Sequence, residues 1–217
     1  MNMARVRIKV CGVTTSEDAL MVASLGADAL GFVFYPKSSR VVTLEHAVSV
    51  ASIVPTFVST VALVVNAEEE FIRTICTQLR PSYLQFHGEE SAQECICYSY
   101  PYIKAIRMRP NTDVLEIMAM HNNVWCRGIL LDAYHPELPG GTGAIFDWSS
   151  VPAPDKRTRP LILAGGLNAL NIETAVRQVQ PWAVDVSSGV EYTPGRKSST
   201  SLKTFIQGVL NAAVLLS

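Results

Sequence analysis

Charged residues are scarce in this 217-residue chain. Asp, Glu, Lys and Arg supply 17% of it, and 18 basic side chains nearly cancel 19 acidic ones. So even a balance argues against the basic surface that general nucleic-acid binding needs, and 48% hydrophobic residues argue against disorder. A disulfide framework is missing: the five cysteines, at positions 11, 76, 95, 97 and 126, are odd in number and unevenly spaced. We read a reducing, cytoplasmic compartment from this. The opening residues lack the unbroken apolar region of a signal peptide, because Arg5, Arg7 and Lys9 interrupt them. The uncharged stretch from Ala47 to Ala67 is long enough by count to cross a membrane. It holds Pro55, Thr56, Thr60 and three serines, and reads instead as a helix end, a turn and a strand.

Common catalytic signatures are absent as well. There is no Gly-x-x-x-x-Gly-Lys-Ser/Thr, no Gly-x-Ser-x-Gly and no His-Glu-x-x-His, which removes support from ATPase, serine hydrolase and zincin readings. Gly141-Thr142-Gly143 runs into Ala144, Ile145 and Phe146, so a dinucleotide fingerprint fails at its third glycine. Cys95-Ile96-Cys97 has no partner pair, and no metal site is expected.

What is present is a repeated alternation. Apolar, β-branched runs recur at Val6–Val10, Ala29–Phe34, Val58–Val65, Tyr83–Phe86, Ile103–Ile106, Gly128–Leu131, Leu161–Ala164 and Ala183–Val186. Helical periodicity fills most gaps, as in Ser16–Leu25, Leu44–Val54, Glu68–Leu79, Asn168–Val179 and the closing Ser201–Leu216. Thr15-Ser16, Ser91 and Asn168 stand where caps would start helices. The proline- and glycine-rich stretch from Tyr134 to Arg159 predicts a long loop with at most a short helix. No linker divides the chain, so residues 1–217 are read as one domain. Alternation of this kind predicts a parallel sheet, open and doubly wound or closed as a barrel, and eight units favour the α/β class as a (β/α)₈ TIM barrel.

In such barrels the loops after the strands build the active site. A period of two along the first run puts Lys9 and Cys11 on the face opposite Val6, Ile8 and Val10. The apolar set should meet the helices, which turns Lys9 and Cys11 inward. An interior lysine needs an anionic partner, and Asp185 on the eighth run would neighbour it in a closed ring. Asp132 follows the sixth run, and His87 the fourth. Gly165-Gly166 and Ser187-Ser188-Gly189 follow the seventh and eighth, where barrels often bind phosphate through exposed backbone N–H groups.

Together these residues carry a family resemblance. Lys9-Val10-Cys11-Gly12-Val13-Thr14, Gly31-Phe32-Val33-Phe34 leading to Ser38-Ser39-Arg40, Leu84-Gln85-Phe86-His87-Gly88, Leu131-Asp132-Ala133, Gly140-Gly141-Thr142-Gly143, Leu163-Ala164-Gly165-Gly166-Leu167 and Asp185-Val186-Ser187-Ser188-Gly189-Val190-Glu191 resemble phosphoribosylanthranilate isomerases, in order along nearly the whole chain. The resemblance implies a cofactor-free Amadori rearrangement of a phosphoribosyl small molecule in tryptophan biosynthesis. It assigns the general base to Cys11 and the general acid to Asp132, and it gives Arg40 the substrate's anthranilate carboxylate. Substrate contacts are expected at Lys9, Arg40, Gln85, His87, Gly143, Gly165, Gly166, Asp185, Ser187, Ser188 and Gly189. No nucleic-acid or membrane partner is implied, and monomer and homodimer stay open. Three positions depart from the family pattern: Ser39 for the usual proline, Phe86 for leucine, and Ser198 for an acidic residue. The first is expected to loosen the arginine loop.

The chemistry opens the ribose ring by protonating its oxygen, then removes the C2 proton to form an enolamine that ketonises. Asp132 must start protonated and Cys11 as thiolate, which inverts reference values of about 3.9 and about 8.5. Lys9 is expected to favour the thiolate. Two rivals remain: another ribose-phosphate barrel, such as an indole-3-glycerol-phosphate synthase, which would want a catalytic Lys and Glu, and a barrel that binds phosphate without turnover.

Overall fold

The computed structural model describes residues 5–133 and 146–214. Eight parallel strands close into a barrel in chain order: β1 (Arg7–Cys11), β2 (Ala29–Val33), β3 (Ser59–Val64), β4 (Tyr83–Phe86), β5 (Tyr102–Met108), β6 (Cys126–Ala133), β7 (Leu161–Leu163) and β8 (Ala183–Val186). Each lies on one of the eight apolar runs of the sequence. Around them stand α1 (Ser16–Ser24), α2 (Leu44–Ala51), α3 (Glu69–Gln78), α4 (Ala92–Ile96), α5 (Val114–Met120), α6 (Ile172–Val179) and α7 (Ser199–Val214). No helix among the described residues is long and apolar enough to cross a membrane. The stretch from Ala47 to Ala67 splits as expected into the end of α2, a turn and β3.

Period-two alternation sorts the barrel's two faces. Val6, Ile8 and Val10 join Leu30, Phe32, Ala62, Val64 and Leu84 in the core shared with the helices. The opposite face fills the barrel with Val61, Ile103, Ala105, Leu130, Ile162, Ala164 and Ala183. Above this apolar plug the interior turns polar, and Lys9 and Cys11 fit there because β2 offers a glycine opposite them. A Cβ on Gly31 would lie 2.8 Å from Cys11 Sγ and 3.1 Å from Lys9 Nζ.

Caps account for several helix starts. Thr15 accepts from Asp18 N–H, and Ser91 and Glu94 form a reciprocal capping box on α4. Asn168 departs from expectation: it opens a turn, its carboxamide oxygen accepting from Leu170 N–H, and α6 begins only at Ile172. Helix α5 is an addition to the sequence reading, capped by the Asp113 side chain on Leu115 and Glu116 N–H. Two short 3₁₀ turns, Trp148–Ser150 and Pro154–Lys156, occupy the described part of the expected long loop. Arg157 ties that loop down, donating from Nη1 to the Gln180 carbonyl and from Nη2 to that of Val179, at the negative end of α6.

A further departure follows β8. Strands β9 (Glu191–Thr193) and β10 (Arg196–Lys197) form a small antiparallel hairpin, turned by Pro194 and by Gly195 at φ +81°. Proline followed by a positive-φ glycine is the chemistry of a type II turn. The hairpin returns Lys197 opposite Glu191, and this pairing shapes the site below.

Candidate active site

The strand ends meet in one cleft, lined by Cys11, Arg40, His87, Asp132, Gly165, Gly166, Asp185, Ser187 and Ser188 among others. It holds about 740 Å³ with its open mouth included, within the range of small-molecule sites. Its floor is ionic: Lys9 Nζ donates to Asp185 Oδ1 at 2.9 Å, with both side chains buried. The pair follows from register, because Lys9 and Asp185 are partners across the β1–β8 seam that closes the barrel. Burial would lower the Lys9 ammonium, but Asp185 and Cys11 outweigh it and hold the group above its ordinary value.

Cys11 stands beside this pair at the cleft wall, 6% exposed. Burial pushes its thiol up, and the opposing pull of Lys9 and Lys197 does not offset it. Lys9 favours the thiolate as expected, while burial first and the charge of Asp185 after it keep the thiol above its ordinary value.

Across the mouth, Asp132 is fixed at both oxygens. Oδ1 accepts from Ala133 N–H at 2.9 Å, and Oδ2 lies 3.0 Å from His87 Nε2. The other ring nitrogen of His87 lies 2.9 Å from Gln85 Nε2. Gln85 is wholly buried, and neither it nor Lys9 reaches the cleft surface. Both side chains brace residues that line the cleft, Gln85 through His87 and Lys9 through Asp185.

The phosphate-type loops are close-packed. Gly165 and Gly166 have φ of +81° and +62°, the conformation that costs glycine nothing and other residues dearly. Gly189 does not line the cleft; it lets the loop after β8 lie against the loop after β7, since a Cβ there would sit 1.9 Å from the Leu167 carbonyl oxygen. Ser187 Oγ reaches the Cys11 carbonyl at 3.1 Å, tying this loop to β1. Gly143 lies outside the described residues.

Arg40 is held more firmly than the sequence implied. Its Nε donates to Glu191 at 2.9 Å and its Nη2 at 2.7 Å, while among the described residues Nη1 reaches only Ser39 Oγ, at 3.4 Å. Glu191 in turn accepts from Lys197 Nζ at 2.7 Å, and Lys197 also donates to the Cys11 carbonyl. One edge of the guanidinium is therefore used for orientation, and the outer edge is left for a ligand. Sequence reasoning missed this network; the only signal was the Pro194-Gly195 turn that folds Lys197 back. Val33, Leu63, Val65 and Tyr35 give the cleft its apolar wall between Arg40 and Cys11, a surface suited to an aromatic ring.

The family model for N-(5'-phosphoribosyl)anthranilate isomerase matches residues 8–208. The chain belongs to the N-(5'-phosphoribosyl)anthranilate isomerase family. It is 48% identical to the isomerase of Azotobacter vinelandii over 210 residues, covering 97% of this chain and 100% of that one. The crystal structure of the isomerase from Thermotoga maritima superposes with a TM-score of 0.85 at 40% identity, over 95% of this chain and 99% of that one. An isomerase structure in complex with reduced 1-(o-carboxyphenylamino)-1-deoxyribulose 5-phosphate gives 0.81 at 39% identity, with the same coverage.

The three departures from the isomerase pattern are accommodated. Ser38 Oγ accepts from Arg40 N–H at 3.1 Å, and Glu191 accepts from the guanidinium beyond it, beside the Ser39 that stands for the usual proline. Phe86 stacks with Tyr98 and meets Tyr102 edge-on. Ser198 Oγ accepts from Ser201 N–H at the start of α7, a role serine fills as well as an acid.

Glu191 also makes stability depend on pH. Burial would raise its carboxyl, but hydrogen bonds and charge from Arg40 and Lys197 hold it below the usual carboxylate range. As pH falls the unfolded chain takes up this proton first, so the stabilisation is complete above the unfolded value of about 4.3 and disappears through the lower folded value. Glu191→Gln is expected to cost about 3 kcal/mol at pH 7, since it leaves two buried cations. Thermal melts should show the gap between the two proteins closing below about pH 4; a gap that stays constant refutes the assignment.

Proposed function

We propose that this chain converts N-(5-phosphoribosyl)anthranilate to 1-(2-carboxyphenylamino)-1-deoxyribulose 5-phosphate, with Cys11 as general base and Asp132 as general acid. The carrying observation is the placement of a thiol and a carboxyl across one cleft whose far rim is built from two glycine/serine loops. The loops after β7 and β8 suit the phosphate, and the outer edge of Arg40 suits the anthranilate carboxylate. Asp132 protonates the ribose ring oxygen as the C1–O bond breaks and the anilino nitrogen forms a protonated Schiff base. Cys11 then removes the C2 proton, and the enolamine ketonises. The protein gives one proton and takes one, so no external redox partner is needed. A single barrel over residues 1–217 belongs to this reading, and the free thiols at all five cysteines suit a reducing cytoplasm.

The test is turnover of substrate generated in situ from anthranilate and phosphoribosyl pyrophosphate, followed by loss of its fluorescence. Native protein should turn over, and absence of turnover refutes the proposal. Arg40→Ala should raise KM by about 10- to 100-fold, the worth of a charge-assisted hydrogen bond, with a smaller change in kcat. Unchanged KM would remove Arg40 from the carboxylate site.

A further inference from the structure

The acid role of Asp132 leaves a difficulty: a carboxyl must carry a proton at neutral pH while a thiol has lost one. We infer that His87 is the reservoir for that proton and that Gln85 is the residue that makes this possible. The inference rests on the reading of Asp132 as the acid.

Three observations converge. Asp132 Oδ1 is engaged by Ala133 N–H, so a proton on this carboxyl belongs on Oδ2, the oxygen 3.0 Å from His87 Nε2. His87 also lines the cleft and can exchange protons with solvent. Behind it, the wholly buried Gln85 spends one end of its carboxamide on His87 Nδ1, while its Oε1 has no partner. Half a turn of the carboxamide exchanges the end that faces the ring. With Nε2 toward His87, Gln85 donates to a bare Nδ1 and matches neutral imidazole. With Oε1 toward His87, it accepts from Nδ1–H and matches imidazolium. An amide serves both states, which no carboxylate or hydrocarbon at this position would do.

The remaining charges facing His87 are compatible with this use. Asp185 on β8 interacts with both His87 and Asp132, and is itself paired with Lys9. Arg107 on β5 donates to the His87 carbonyl at 3.1 Å. Cys11 lies across the cleft, and the lining side chains Leu63 of β3 and Val65 just after it carry no charge.

The transfer balances. The His87 Nε2–H bond breaks as Oδ2–H forms on Asp132; that bond breaks as the proton moves to the ring oxygen and C1–O opens. Cys11 takes the C2 proton, and the site resets through solvent. Sharing the proton with an imidazole enlarges the population in which the acid is loaded while Cys11 is ionised, relative to a lone carboxyl. Because the base here ionises above the acid, the low-pH limb of kcat/KM reports the Asp132–His87 pair and the high-pH limb reports Cys11.

The experiment is kcat/KM between pH 5.5 and 9 for native protein, His87→Gln, Gln85→Glu and Asp132→Asn. Native activity should be level through neutrality and decline toward the acid end of this range. In His87→Gln the decline should vanish from this range, with the plateau lowered by about 10²-fold or more, the worth of a positioned proton donor. In Gln85→Glu, a carboxylate facing Nδ1–H should move the decline upward by about 1 unit or more. Shifts of opposite sign are not what loosened packing produces. An unmoved limb in His87→Gln, with Asp132→Asn inactive, overturns the reservoir; native turnover by Asp132→Asn instead overturns the acid assignment. Should His87→Gln fail to fold, ¹⁵N NMR of the imidazole in native protein and in Asp132→Asn decides. A lower protonation midpoint in Asp132→Asn supports the pair, and equal midpoints overturn it.

Discussion

Cys11→Ala is expected to lower kcat by about 10³- to 10⁴-fold while leaving KM within a small factor, because positioned proton transfer contributes about that much. The loss should be chemical. Cys11 holds neither of the substrate's anionic groups, and removing one buried sulfur costs about 1 kcal/mol or a little more, a small fraction of the stability of such a fold. A melt within a few degrees of native would establish that the inactive protein is folded. Cys11→Ser should be nearly as inactive, since an alkoxide is far harder to form than a thiolate at neutral pH. The resting state has its own signature. With burial holding the thiol up, the thiolate fraction at pH 7 lies below the few per cent of a free cysteine. Alkylation of Cys11 by iodoacetamide should therefore be slow at pH 7 and still rising above pH 9. Rapid, pH-independent alkylation near neutrality would show that Lys9 dominates after all.

Gly189→Ala should be a strongly damaging single methyl in the loops after β7 and β8. The added carbon would stand 1.9 Å from the Leu167 carbonyl oxygen and 3.1 Å from Asn168 Cα, both backbone atoms that no rotamer change can clear. The loops after β7 and β8 would have to separate, at about 3 kcal/mol, the upper end of ordinary overpacking. For a chain of this length that is a drop in Tm of roughly 6 to 12 °C. Separation also spreads the N–H groups of Gly166, Ser187 and Ser188, so KM should rise by about tenfold or more in protein that remains folded. A substitution that leaves both Tm and KM unchanged would mean that the two loops do not act as one cradle.

Much of this site was legible in the chain. Placement of Cys11 inside the barrel required only the alternation Arg7-Ile8-Lys9-Val10-Cys11, and the Lys9–Asp185 pair followed from closing eight runs into a ring. Glycines at 165, 166 and 189 stood out in the sequence because runs of small residues after the last two strands let backbone N–H groups approach an anion. The order of motifs supplied the family. Helix α5 was less visible, because Val114–Met120 makes barely two turns and its cap Asp113 follows a turn-forming stretch.

Three features were decided by the tertiary structure. Arg40 and Glu191, 151 positions apart, meet because a hairpin after β8 carries Lys197 back across Cys11. His87 meets Asp132, 45 positions away, and Gln85 lies behind His87. The protonation of Cys11 depends on a competition between burial and two cations that composition does not measure. The physical reason is the same each time. Sequence periodicity reports which face a side chain takes, because that is local backbone geometry; the neighbour across the barrel and the depth of water exclusion exist only once all eight strands have closed.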